Sequence, residues 1–154
     1  MDNKRLSKKR EISAANDIDG KAHTASGAGW SLKGDLSNDM FLCEDKFTWD
    51  SKYSIQYPIL IKVEKQAVKV SKLSVLRFGF ENVKRNFAVI EKKHLTQNKN
   101  TIIFTTYKNS ILFKLEDLIK LANVDIMCEI IFKKYDKNYI MMTWEHFVEI
   151  HKEI

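Results

Sequence analysis

Three polar side chains in one short stretch carry the chemistry this chain could perform. Asp35 stands nine residues before Glu44, and Lys46 follows Glu44 by two. Residues 40–47 are apolar-rich and follow the turn-forming Ser37-Asn38-Asp39, so they read as a strand. Side chains alternate faces along a strand, which puts Glu44 and Lys46 on one side and Cys43, Asp45 and Phe47 on the other. The three turn residues suffice for a hairpin, and Asp35 then begins the antiparallel partner. Two carboxylates and an ammonium converge at one point. That is a seat for a hard divalent cation beside a phosphate, because such ions take carboxylate oxygens and keep waters for chemistry.

The flanking elements must hold these groups in place. Residues 4–16 form a helix carrying Leu6, Ile12 and Ala15, with Ser7 able to cap it and Glu11 facing either solvent or the site. Residues 17–29, rich in Asp, Gly, Ala and Ser, read as a loop. Within it Ser26-Gly27-Ala28-Gly29 looks like a phosphate cradle, but no Gly-Lys-Ser/Thr follows, so no nucleotide cofactor is expected. Residues 48–54 are polar and offer helix caps. Pro58 suits the first turn of a helix in which Ile59, Val63, Ala67 and Val70 recur at helical spacing, leaving Lys62, Lys65 and Lys69 to other faces. Residues 74–80 and 86–90 then read as strands.

A second half follows a polar junction at residues 96–100. Residues 110–114 read as a strand, 116–122 as a helix, 127–133 and 139–143 as strands, and 144–154 as a terminal helix. Strand, helix, strand, strand is the order expected of residues 40–90 as well. Phe87 to His94 and Tyr139 to His146 share an aromatic start and a histidine in register. The acid-acid-lysine set has no second copy, and the echo is read as convergence of two common β-rich patterns rather than duplication.

At 154 residues the chain is the size of one domain, and its formal charge of +6 favours a polyanionic partner. Five of the first ten residues are basic, namely Lys4, Arg5, Lys8, Lys9 and Arg10; they form either a solvated, frayed terminus or an arm that contacts phosphates. Cys43 and Cys128 are distant and lack metal-ligand spacing, which fits a reducing, intracellular setting. No apolar run approaches membrane-spanning length, and no apolar core follows the basic start, so neither a membrane helix nor a signal peptide is expected.

With these residues in hand, the chain resembles the PD-(D/E)XK nuclease superfamily, and within it the archaeal-type and phage-encoded Holliday junction resolvases. The likeness rests on Lys9-Arg10-Glu11, His23-Thr24-Ala25-Ser26-Gly27-Ala28, Lys33-Gly34-Asp35 and Phe41-Leu42-Cys43-Glu44-Asp45-Lys46, with the helix and strand that follow. It covers roughly residues 8–90, and nothing after about 95 matches. The resemblance implies an α/β fold with a mixed central β-sheet flanked by helices in a restriction-endonuclease-like nuclease core. Residues 1–95 would form that core, and 96–154 an extension that completes the sheet or makes a dimer interface. It implies Mg²⁺, or Mn²⁺, held by Asp35, Glu44 and Glu11, with Lys46, Glu11 and Ser26 catalytic. It implies a homodimer acting on branched or duplex DNA in the cytoplasm, the host's if phage-encoded. DNA contacts would come from Lys4, Arg5, Lys8, Lys9, Arg10, His23, Ser26, Gly27 and Lys33.

One departure stands out. The residue between glutamate and lysine is usually apolar in that superfamily, because it packs beneath the sheet, and here it is Asp45. A buried unpaired carboxylate costs several kcal/mol, so Asp45 should meet a lysine or a helix N-terminus, or its strand should lie near an edge. His94, His146 and His151 have no partner at catalytic spacing and read as structural or solvated. Trp49, Tyr53 and Tyr57 read as packing residues, although aromatics beside a basic helix can stack on exposed bases.

Overall fold

The structure, a computed structural model, describes residues 2–23, 34–96 and 100–154. Helix α1 (Asn3–Asp17) starts one residue earlier than the apolar spacing indicates, because Asp2 caps it by accepting the Arg5 N–H at 2.8 Å. Ser7 lies inside the first turns and donates to the Asn3 carbonyl instead of capping. Strands β1 (Lys21–Ala22) and β2 (Leu36–Ser37) are short, and β3 (Phe41–Thr48) is long. Strand β4 (Lys52–Gln56) occupies what reads as a polar cap region. It leads into α2 (Tyr57–Lys69), which has Pro58 in its first turn. Then come β5 (Leu73–Phe80), β6 (Arg85–Glu91), β7 (Thr101–Thr106), β8 (Ser110–Lys114), α3 (Leu115–Asn123), β9 (Met127–Phe132), β10 (Lys137–Thr143) and α4 (Trp144–Ile150). The terminal helix is shorter than expected: residues 151–153 form a 3-10 turn.

The architecture is α/β; among the described residues a mixed sheet of eight strands runs in the order β1-β2-β3-β5-β6-β10-β9-β7, beside a separate two-stranded β4-β8 ladder. Alternation along each strand divides the core. On β6, Ala88 and Ile90 join the cluster beneath α1 and α4, whereas Phe87 and Val89 join the cluster beneath α2, α3 and the small ladder. Phe41 and Phe147 are fully enclosed on the first face and Phe78, Phe80 and Phe132 on the second. Each contributes about 1.5–3 kcal/mol relative to exposure, so both faces hold the sheet.

The second half of the chain repeats the first about a pseudo-two-fold axis. Strand β3 runs parallel to β5, which pairs antiparallel with β6; β7 runs parallel to β9, which pairs antiparallel with β10; and β6 and β10 join the halves at the centre. Exchanging β4 with β8 turns their ladder into itself, since Tyr53↔Phe113 becomes Ile111↔Ile55. Exchanging Phe87 with Tyr139 does the same for the central ladder, converting Phe87↔Thr143 into Tyr139↔Glu91. Even the left-handed turn residues correspond: Ser71 and Asp125 follow α2 and α3, and Lys84 and Asp136 stand in the β5-β6 and β9-β10 turns. The echo between the halves is therefore three-dimensional and not a coincidence of strand composition. Its phase also differs from the sequence pattern, which sets residues 110–114 against β3. That segment is the counterpart of β4, and β7 takes the place of β3.

Candidate active site

The site forms where β2 stops. Strand β2 pairs with β3 only at Leu36↔Cys43 and Ser37↔Leu42, so among the described residues the second half of β3 has β5 on one side and no ladder partner on the other. Gly34, at φ +99°, turns the chain in a conformation that L side chains rarely adopt, and a Cβ there would approach Leu42 to 2.8 Å. The turn leaves the Asp35 N–H donating to the Cys43 carbonyl at 3.0 Å. Continued by one residue, the register sets Asp35 opposite Glu44. The Asp35 Oδ2 then accepts the Asp45 N–H at 2.7 Å, replacing the partner that β3 lacks there.

Glu11, on α1, reaches the same margin, near enough to Asp35 for the two carboxyl groups to influence each other's ionisation. Lys46 Nζ lies 3.5 Å from Glu44 Oε1; the Glu44 side chain is 14% exposed and that of Lys46 43%, so the ammonium is the group turned to solvent. Burial and the Asp35 carboxylate, with smaller effects of Asp45 and Glu44, push Glu11 up to about 7. Burial also raises Asp35, although the Asp45 N–H opposes the rise. Burial and the Asp35 charge raise Glu44, against Lys46 and, more weakly, Lys62. Each acid thus raises the cost of ionising another, which is the electrostatic demand that a bound cation relieves.

The donor chemistry fits a hard divalent ion: three carboxylates, with no thiolate or imidazole among them. No three ligands among the described residues already stand in coordinating positions around one point. Glutamate side chains can change that spacing by rotamer changes.

The opposite face of β3 answers the Asp45 question. Asp45 Oδ2 accepts from Arg10 Nε at 2.9 Å, and its Oδ1 accepts from Arg10 Nη2 at 3.0 Å and from Arg77 Nη1 at 2.7 Å. Arg10 also donates through Nη1 to Glu81 at 2.9 Å and through Nη2 to the Lys46 carbonyl at 3.3 Å. Neither a lysine nor a helix N-terminus is involved; β2 has stopped short of this part of β3, which fits the edge expectation, and two arginines surround a carboxylate that is 2% exposed. Arg77 in turn lies over the Trp144 ring at 4.9 Å, and the Trp144 N–H donates to Asp17 at 2.8 Å. Asp45 sits between Glu44 and Lys46, and Arg10 adjoins Glu11. The pair therefore docks the helix bearing Glu11 onto the strand bearing Glu44 and Lys46.

Arg10 is consequently a correction to the basic-arm expectation. Its side chain is 5% exposed and its donors are taken by Asp45, Glu81 and the Lys46 carbonyl, so it is not available to a phosphate. Lys4, Arg5, Lys8 and Lys9 are exposed on α1. His23 is half-buried with Nε2 at 2.8 Å from Ser37 Oγ, and burial together with Lys72 lowers its pKa. Ser26, Gly27 and Lys33 lie outside the described residues. Tyr53 stacks on Phe78 at 4.5 Å and Tyr57 on Tyr135 at 3.8 Å, both as packing residues, whereas Trp49 is half-exposed. Buried His151 bonds the Val148 carbonyl, and His146 lies 3.7 Å from Glu149.

No protein-family model matches the chain, and no curated protein matches it. Among the described residues no helix is long and apolar enough to cross a membrane. Sequence reasoning missed Arg77, Glu81 and the approach of Lys62 to Glu44. Arg77 had a visible signal, a lone charge inside the apolar run Leu-Ser-Val-Leu-Arg-Phe.

Proposed function

We propose that this protein is a metal-dependent endonuclease with a restriction-endonuclease-like core, cutting four-way DNA junctions by phosphodiester hydrolysis. The observation that supports this reading is the convergence of Glu11, Asp35, Glu44 and Lys46 at the open margin of β3. Asp35 and Glu44 would hold Mg²⁺ or Mn²⁺, with Glu11 completing the set directly or through water. The ion supplies Lewis-acid polarisation of a phosphoryl oxygen. Lys46, turned to solvent, orients the attacking water and offsets the charge that gathers on phosphorus in the transition state. Asp45, Arg10 and Arg77 keep the strand and helix in register without touching the substrate.

Symmetric junction cutting needs two sites, and the second half does not supply one among the described residues. The ladder registers match Glu44 with Ile102 and Lys46 with Phe104, so β7 has apolar side chains where β3 has the glutamate and lysine. A second copy of the chain, acting in the cytoplasm of the cell or phage host, would supply the other site.

Incubation with a synthetic four-way junction and an equal-length duplex, with and without Mg²⁺, tests the proposal. Paired nicks near the crossover that require Mg²⁺ support it. Cleavage of ordinary duplex alone would reassign the substrate to a nicking, restriction or repair activity. Binding without cleavage would leave a basic DNA-binding protein.

A further inference from the structure

Helices α2 and α3 occupy equivalent places about the pseudo-two-fold axis, each entered from one strand of the β4-β8 ladder. Folding makes the same demand on both: an apolar side toward the second core cluster, met by Leu60 on α2 and Leu118 on α3. Their outer sides differ. Helix α3 opens with Glu116 and Asp117 and carries a single lysine, Lys120. Helix α2 carries Lys62, Lys65 and Lys69, all exposed, at three- and four-residue intervals that place them along one side. Among the described residues no carboxylate pairs with any of these three. The basic row is thus not a requirement of the fold, and it belongs to the half that bears the acid cluster.

Its placement is directional. Helix α2 packs against β5 and against β3, the strand that bears Glu44, and Lys62, at the near end of the row, is the member whose charge acts on Glu44. From Lys62 to Lys69 the helix advances about 10 Å at about 1.5 Å per residue, the reach of roughly three phosphates at about 3.4 Å each along one strand. The far end opens on a crevice of about 600 Å³ between the last turns of α2, the start of β5 and the end of β6. Among the described residues five lysines line it, Lys65, Lys69, Lys72, Lys93 and Lys137, against two glutamates. Those glutamates are already paired: Lys137 Nζ lies 3.3 Å from Glu64 and 3.2 Å from Glu91, Lys93 Nζ lies 3.4 Å from Glu91, and the Tyr139 hydroxyl donates to Glu64 at 2.6 Å. The lining therefore keeps a positive excess, to which Lys65 and Lys69 contribute without a carboxylate partner among the described residues.

We infer that the Lys62-Lys65-Lys69 row is a phosphate track, binding the sugar-phosphate backbone of DNA as it leaves the acid cluster and delivering it to the crevice beside Lys93. The inference rests on the nuclease reading, since it takes the substrate at the acid cluster to be DNA. It commits to backbone contacts, without base recognition.

The test is fluorescence anisotropy of a labelled four-way junction in EDTA, with salt varied from about 50 to 200 mM. The Lys65→Ala/Lys69→Ala protein should bind several-fold more weakly, and its slope of log affinity against log salt should flatten by about 2, near 0.9 per lost phosphate contact. Lys65→Arg/Lys69→Arg should keep the original slope. Lys120→Ala/Lys152→Ala, which removes two exposed lysines elsewhere, should leave it unchanged. An unaltered slope in the first variant overturns the track, and so does an equal change in the Lys120/Lys152 control, because charge would then act diffusely. If the unaltered protein binds neither junction nor duplex, the nuclease reading falls with it; if it binds and only the variant comparison fails, the track alone falls.

Discussion

Replacing Asp45 by asparagine isolates the buried charge on which the site is mounted. The carboxylate accepts three hydrogen bonds from two guanidinium groups, at 2.7, 2.9 and 3.0 Å, in surroundings where the side chains are 2–5% exposed. Asparagine keeps the shape and one acceptor oxygen, but it turns an amide toward a guanidinium and leaves Arg77 without a carboxylate partner. Breaking a buried ion pair from one side costs about 3–5 kcal/mol, mostly because the remaining charge stays buried and uncompensated. For a domain of this size each kcal/mol moves Tm by about 2–4 °C, so D45N should melt roughly 6–20 °C below the unaltered protein in a circular-dichroism scan. A double-mutant cycle with Arg77→Met sharpens the test. Arg77→Met should cost less in the D45N background than alone, with a coupling of about 0.5–3 kcal/mol. A D45N protein melting within about 2 °C of the original, or a cycle with no coupling, would refute the view that this carboxylate and its arginines hold α1 against β3.

Lys46→Ala should behave in the opposite manner: with its side chain 43% exposed and one ion pair at 3.5 Å, its loss should change stability by less than about 0.5 kcal/mol. Junction cleavage should instead fall by about 10²–10³-fold with DNA affinity nearly constant in single-turnover assays, and a matching loss of affinity would argue against a transition-state role. Glu11 gives the pH prediction. Its pKa is raised in the folded chain to about 7 from an ordinary 4.5, so the folded state holds that proton more tightly than the unfolded state; stability falls as pH rises from about 4.5 through 7, where the proton is lost. Because a divalent cation needs the ionised cluster, Mg²⁺ should raise Tm more at pH 8 than at pH 6, and cleavage should climb through neutrality. Glu11→Gln should weaken both dependences, and a Mg²⁺ shift indifferent to pH would contradict the assignment.

Local pattern made much of this chain legible from its residues. Alternation and helical spacing located β3, α2, β5, β6, β8, α3, β9 and β10 to within a few residues, because period and turn chemistry act over neighbouring positions. The same alternation separated Glu44 and Lys46 from Asp45, and the Ser37-Asn38-Asp39 turn was enough to bring Asp35 back beside Glu44. Strand β4 escaped notice because Tyr53 and Ile55 become an inward face only when β8 pairs with them, and that partner lies in the other half.

What only the tertiary structure decided is how distant parts meet. The residues around Asp45 could show that a buried carboxylate needs a partner, but not that Arg10 and Arg77, 35 and 32 positions away, would supply it. Arg10 looked like one more cation in a basic terminus, and burial against β3 gave it another task. The pseudo-two-fold axis was equally hidden, since two halves with different side chains obey the same ladder registers through backbone pairing. Side-chain period is written along the chain, whereas the choice of partner across the sheet is settled by which surfaces can be buried together.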